Sequence, residues 1–98
     1  MTVRKPHFMI DVTLYEADQG GRRQPIAREG FSCPCKLEVS SDTIVDCRLI
    51  LHGQQIAPGE TKRVGIRFLH DASACLFQSA GHFYFWDRRI IGEATVAA

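Results

Sequence analysis

The chain has 98 residues, 45% of them apolar and 23% charged, and its twelve basic and eleven acidic side chains leave a formal charge of +1. That length holds one domain with one modest core, and the near-zero charge excludes a global field drawing the protein to nucleic acid or an anionic membrane. No apolar run approaches the roughly 20 residues of a membrane-spanning helix, and Met1 to Lys5 is followed by His7 and Asp11 instead of the apolar segment of a signal peptide. The expectation is one cytoplasmic domain over residues 1–98, with 1–6 as a flexible N-terminus.

In chain order, Phe8, Ile10, Val12 and Leu14 fall on one face at period two and Asp11 and Thr13 on the other, which predicts a half-buried strand over Phe8–Tyr15. It runs into the turn Gln19-Gly20-Gly21-Arg22-Arg23-Gln24-Pro25, where the paired glycines permit positive φ and the two arginines are solvated or meet an anion. After an irregular stretch to Gly30, residues Phe31 to Val39 read as a second strand, with Phe31, Cys33, Cys35, Leu37 and Val39 on one face. Pro34 lacks an N–H for the ladder and so predicts an edge or a bulge there.

Ser40-Ser41-Asp42 is a turn cluster, and Ile44 to Leu51 follows as a third strand with Val45, Cys47, Leu49 and Leu51 in phase. Ala57-Pro58-Gly59-Glu60 has the fixed φ and then the positive φ of a type II turn. Thr61 to Leu69 alternates again, with Val64, Ile66 and Phe68 inward and Arg63, Gly65 and Arg67 outward. Asp71 to Gly81 fits either a helical turn or a short extended piece, and is taken as a connection. Phe83 to Val96, rich in aromatic and β-branched residues, reads as a closing hairpin. The fold class expected is all-β, a six-stranded antiparallel barrel.

Several short motifs then stand in a recognisable order. Asp11 to Tyr15 followed by Gly20-Gly21-Arg22 and Pro25, the Gly30-Phe31 step, the Ala57-Pro58-Gly59-Glu60 turn and the closing strand Ile91-Gly92-Glu93-Ala94-Thr95-Val96 together resemble the C-terminal β-barrel domain of the elongation factor Tu family over about residues 7–97. The resemblance implies a stand-alone, translation-related barrel that acts by binding and not by catalysis. No Gly-x-x-x-x-Gly-Lys-Ser/Thr loop is present, so no GTP site is expected. In that family the barrel helps hold the tRNA backbone. There the second strand opens Gly-aromatic-Arg-Pro and the closing turn reads Arg-Glu-Gly-Gly-Arg, whereas here Phe31 is followed by Ser32-Cys33-Pro34 and the turn is Trp86-Asp87-Arg88-Arg89.

The candidate binding residues are Arg22, Arg23, Arg28, Trp86, Asp87, Arg88 and Arg89. They form one cluster if the two loops open at the same end of the barrel, since arginine forks suit phosphate or carboxylate and Trp86, with Tyr84 on the same strand face, offers a stacking surface. The opposing reading is a solvated surface with its charges balanced by Asp18, Glu29 and Asp87. Cys33, Cys35 and Cys47 alternate with the apolar set, as small core hydrophobes do. A Cys-x-Cys pair lacks the knuckle spacing of a zinc site, and Ser, His and Asp occur without a positioned catalytic motif, so no metal, cofactor or catalytic residue is assigned. The functional expectation is a binding module for a protein partner or for self-association. RNA binding through the arginine loops is the alternative, and a small metal- or thiol-dependent enzyme the second.

Overall fold

Apolar side chains at every second position place the first strand against a core on one side only, and the same alternation recurs, with local breaks, in the strands that follow. The computed structural model describes residues 5–97. Among them are six strands, β1 (Phe8–Leu14), β2 (Phe31–Lys36), β3 (Val45–Ile50), β4 (Thr61–Phe68), β5 (His82–Trp86) and β6 (Ile90–Val96), with one helix, α1 (Asp71–Ala80). The strands close into an antiparallel barrel in the order β1-β4-β3-β2-β5-β6, as expected from the sequence. No helix among the described residues is long and apolar enough to cross a membrane.

The inward faces are those the alternation predicts: Ile10, Val12 and Leu14 of β1, Val64 and Ile66 of β4, and Phe83 and Phe85 of β5 are fully or almost fully buried. Cys33, Cys35 and Cys47 are buried with them, while Cys75 is exposed on α1. Cys33 and Cys47 face each other across β2 and β3, and the Cys35 and Cys47 sulfurs lie 2.9 Å apart. Burial pushes the thiols of Cys33 and Cys47 well above their ordinary range, so they stay protonated and pack as small apolar groups.

The barrel has two unlike ends. At one, which we call the helix end, lie the β2–β3 connection and the β4–β5 connection with α1; at the other, the loop end, lie residues 15–30, 51–60 and 87–89. Asp71–Gly81, taken from the sequence as a simple connection, contains a ten-residue helix. Only Ala74 and Phe77 of that helix are buried, too few to set a helical period in the sequence. Phe77 fills the barrel mouth, its ring 5.0 Å from those of Phe68 and Phe83. His7 ties the helix to the barrel: its Nδ1 accepts the Phe68 N–H at 3.0 Å, which leaves Nε2 as the protonated nitrogen that donates to the Asp71 carboxylate at 2.9 Å.

Other details depart from the expectation. β2 ends at Lys36, so Leu37 to Val39 belong to the connection and Val39 is 55% exposed. β2 has neighbours on both sides, and Pro34 therefore marks no open edge. Its ladder with β5 instead begins only at Cys35, one residue later, and covers two pairs. Ile50, out of phase with the inward set of β3, is nonetheless buried, against the place where a Cβ on Gly65 would also meet Pro6. The Pro58-Gly59 turn forms as expected, with Gly59 at φ +87° and the Glu60 N–H donating to the Ala57 carbonyl at 3.0 Å.

Candidate functional site

The geometry of the loop end starts from its two glycines, which do different work. Gly20 has φ +89° and ends a short 3₁₀ turn over Ala17–Gln19. Gly21 does not share the positive φ that the sequence predicts for the pair; a Cβ there would lie 2.0 Å from the Tyr15 carbonyl oxygen, so its smallness lets the loop fold back on the end of β1. The returning loop presents the Gly20 and Gly21 carbonyls to Arg89, which donates from Nε to the first and from Nη2 to the second, the latter at 3.0 Å. The loops carrying Arg22 and Arg89 thus open at the same end and are joined.

The seven candidate residues are nevertheless differently employed. Arg22 lies over the Phe31 ring at 5.0 Å and donates from Nε to the Gln24 carbonyl at 2.8 Å. Arg89 serves as the latch just described. Arg23, Arg88 and Asp87 are exposed, and Arg88 stands at φ +65° in the tight turn closed by the Asp87 N–H on the Arg89 carbonyl at 2.8 Å. Trp86 is half-buried on the outer face, with the Lys36 ammonium 5.3 Å from its ring. Arg28 sits apart from the latch, in a groove it shares with Phe31, Ser32 and Arg48.

The balancing ion pairs expected from Asp18, Glu29 and Asp87 are not formed with these arginines among the described residues. Glu29 is turned inward to the chain: it accepts the N–H groups of Leu51 at 2.6 Å, His52 at 2.9 Å and Gly30 at 3.1 Å. Burial raises the pKa of this carboxyl, but the three donors outweigh burial and hold it below its ordinary value. The carboxylate thus ties the start of β2 to the end of β3.

On the outer face of β5 and β6, Glu93 accepts the Tyr15 hydroxyl at 2.6 Å and lies 3.7 Å from His82, whose ring meets Tyr84 edge-on at 5.0 Å. Burial first, and then the hydrogen bond to Glu93, push the Tyr15 hydroxyl well above its ordinary pKa. Tyr84 and Trp86 do share this face, as the strand phase predicts, within a strip of aromatic and polar side chains.

Two cations escaped the sequence reading of the site. Arg48 of β3 and Arg67 of β4 are direct cross-strand partners, and Ser32 of β2 lies opposite Arg48 on its other side. The outward phase of each arginine is readable from sequence, but their adjacency depends on the β3–β4 register. At the helix end the exposed large hydrophobics are Val39, Ile44, Leu69 and Leu76, with Leu69 85% exposed. No group of three or more metal-ligating side chains gathers among the described residues. The chain matches no protein-family model and no curated protein.

Proposed function

We propose that this chain is a non-enzymatic binding module, a stand-alone barrel resembling the last domain of elongation factor Tu, which works by seating a protein partner or a second copy of itself. The resemblance draws support from where its motifs fall: Gly20-Gly21-Arg22 at the β1–β2 connection, Pro58-Gly59 at the β3–β4 turn and Ile91 to Val96 in the closing strand. The observation that carries the binding reading is the helix end. Exposed Val39, Ile44, Leu69 and Leu76 all belong to the two connections at that end, and exposed apolar groups that share one end of a fold mark protein contacts more than scattered ones do.

Light scattering over a range of concentrations, on the wild type and on a Leu69→Ser/Leu76→Ser double variant, tests it. A mass that rises with concentration in the wild type and stays monomeric in the variant supports self-association. A monomer throughout directs the search to proteins encoded beside this gene, with binding again lost in the double variant. Binding that survives the double substitution overturns the assignment of this end.

The loop-end arginines favour a second reading, RNA backbone binding, because they lack carboxylate partners among the described residues. Against it stand Ser32 in place of the family's arginine and the internal use of Arg22 and Arg89. Anisotropy with tRNA at two salt concentrations separates the readings, since phosphate contacts make affinity fall steeply with salt.

A further inference from the structure

We propose that the groove between Ser32, Arg48 and Arg67 binds the dianionic head of a phosphate monoester. This site borders both surfaces, sharing Leu69 with the helix end and adjoining the groove of Arg28, but it depends on neither reading. Arg48 and Arg67 are opposed across β3 and β4, which sets their Cβ atoms about 5 Å apart, and like charges so placed destabilise a sheet unless something lies between them. Neither guanidinium has an ion-pair partner among the described residues.

Both side chains are held instead by neutral backbone carbonyls. Arg48 donates from Nη1 to Gly30 at 3.2 Å and Arg67 from Nη1 to Lys5 at 2.8 Å. The first contact draws Arg48 toward the β2 flank and the second draws Arg67 toward the β1 flank. Each leaves further N–H donors, because arginine carries five, and a ligand is gripped by both when the side chains swing inward. A cavity of about 180 Å³ opens on this outer face, with walls that include Ser32, Asp46, Arg48, Arg67 and Leu69. Water occupies about 30 Å³ per molecule in the liquid, so a five-atom phosphoryl group fits.

The chemistry of the walls narrows the ligand. Two guanidiniums match the two charges of a monoester, and the Ser32 hydroxyl adds a donor to its oxygens. Exposed Leu69 at the rim offers an apolar contact for the organic group that carries the phosphate. Asp46, on the same face two residues from Arg48, opposes a longer run of phosphates, and the adjoining groove beside Arg28 also holds the Glu29 carboxylate. A single phosphoryl group avoids that second carboxylate, whereas a nucleic-acid strand following the groove meets both.

The source of the phosphate is a phosphorylated side chain or a free phosphorylated small molecule. NMR titration of the labelled full chain with inorganic phosphate, O-phosphoserine, a short phosphoserine peptide and oligouridylate tests the assignment. Saturable shifts at Ser32, Arg48 and Arg67 are expected with phosphoserine. Arg48→Gln and Arg67→Gln each weaken binding about tenfold, Ser32→Ala a few-fold, and Asp46→Asn tightens it. Arg63→Gln, at an outward cation farther along β4, leaves affinity unchanged.

Both source outcomes support the site: a peptide that binds tighter than phosphoserine identifies a protein-borne phosphate, and equal affinity a small molecule. Shifts that chloride reproduces at equal ionic strength, insensitivity to both arginine substitutions, or oligouridylate binding through these residues without saturable phosphoserine binding overturns the proposal.

Discussion

The helix end and the loop end of the barrel are closed by different physics. At the helix end a single aromatic side chain, Phe77, fills the mouth and is 1% exposed, in contact with the rings of Phe68 and Phe83. At the loop end Ile26 and Ile56 pair in a short bridge and are buried, but much of the closure comes from side chains bonded to backbone: Arg89 on Gly20 and Gly21, and Glu29 on Gly30, Leu51 and His52. Burial is non-directional, so the first end tolerates exposed Leu69 and Leu76 around its plug. Hydrogen-bond latches are directional and specific, so the loop end is the more sensitive to single polar changes, while the helix end adds the His7–Asp71 tie to its plug.

The largest effect that sharpens this contrast is expected from Phe77→Ala, which leaves a cavity in the barrel mouth and costs about 3–5 kcal/mol of global stability, read by urea denaturation. Gly21→Ala comes next: its Cβ has to displace the Tyr15 backbone, and a cost above about 2 kcal/mol is expected. Gly20→Ala, strained in φ alone, costs about 1–2 kcal/mol. If the two glycine variants lose equal stability, close backbone approach is the wrong account of Gly21.

Arg89→Gln is expected to cost about 1 kcal/mol, since its charged hydrogen bonds are exposed to solvent. Its diagnostic signature is faster amide exchange confined to residues 15–25, with the helix end unchanged. A uniform acceleration across the barrel breaks the contrast between the ends.

The smallest effect is pH-dependent. The Glu29 carboxyl titrates below its ordinary value of 4.5 when folded, so the unfolded chain binds the proton more readily. Its contribution is therefore present above the ordinary carboxylate range and lost as pH falls through the lowered folded value. Acid unfolding of Glu29→Gln compared with wild type tests this: the variant is less stable at neutral pH and the difference closes in acid. A gap that stays constant down to low pH removes Glu29 as an acid-sensitive latch.

Much of this architecture is legible in the chain itself. Period-two alternation names the inward residues of β1, β4 and β5 because side chains of a strand alternate whatever the partner strand. It likewise puts three cysteines in the core, and Pro58-Gly59 states its turn through the φ preferences of those two residues alone. The candidate arginines of residues 22 and 89 are visible as exposed charge flanking turns. Their roles are not: Arg22 is taken up by the Gln24 carbonyl and the Phe31 ring, and whether Arg89 binds a ligand or holds a neighbouring loop depends on a carbonyl nearly seventy positions away.

What the chain determines unaided is therefore everything that depends on neighbouring residues: strand phase, turn chemistry and the all-β class. Tertiary structure alone decides the rest. It turns Asp71–Ala80 into a helix by offering Phe77 a barrel mouth to fill, separates the two glycines into one of conformation and one of contact, and sets Arg48 opposite Arg67. The reason is closure. Joining six strands into a ring fixes which residues of different strands face each other, and those pairings, decided by the packing of the whole core, are where this protein's unbalanced charges meet.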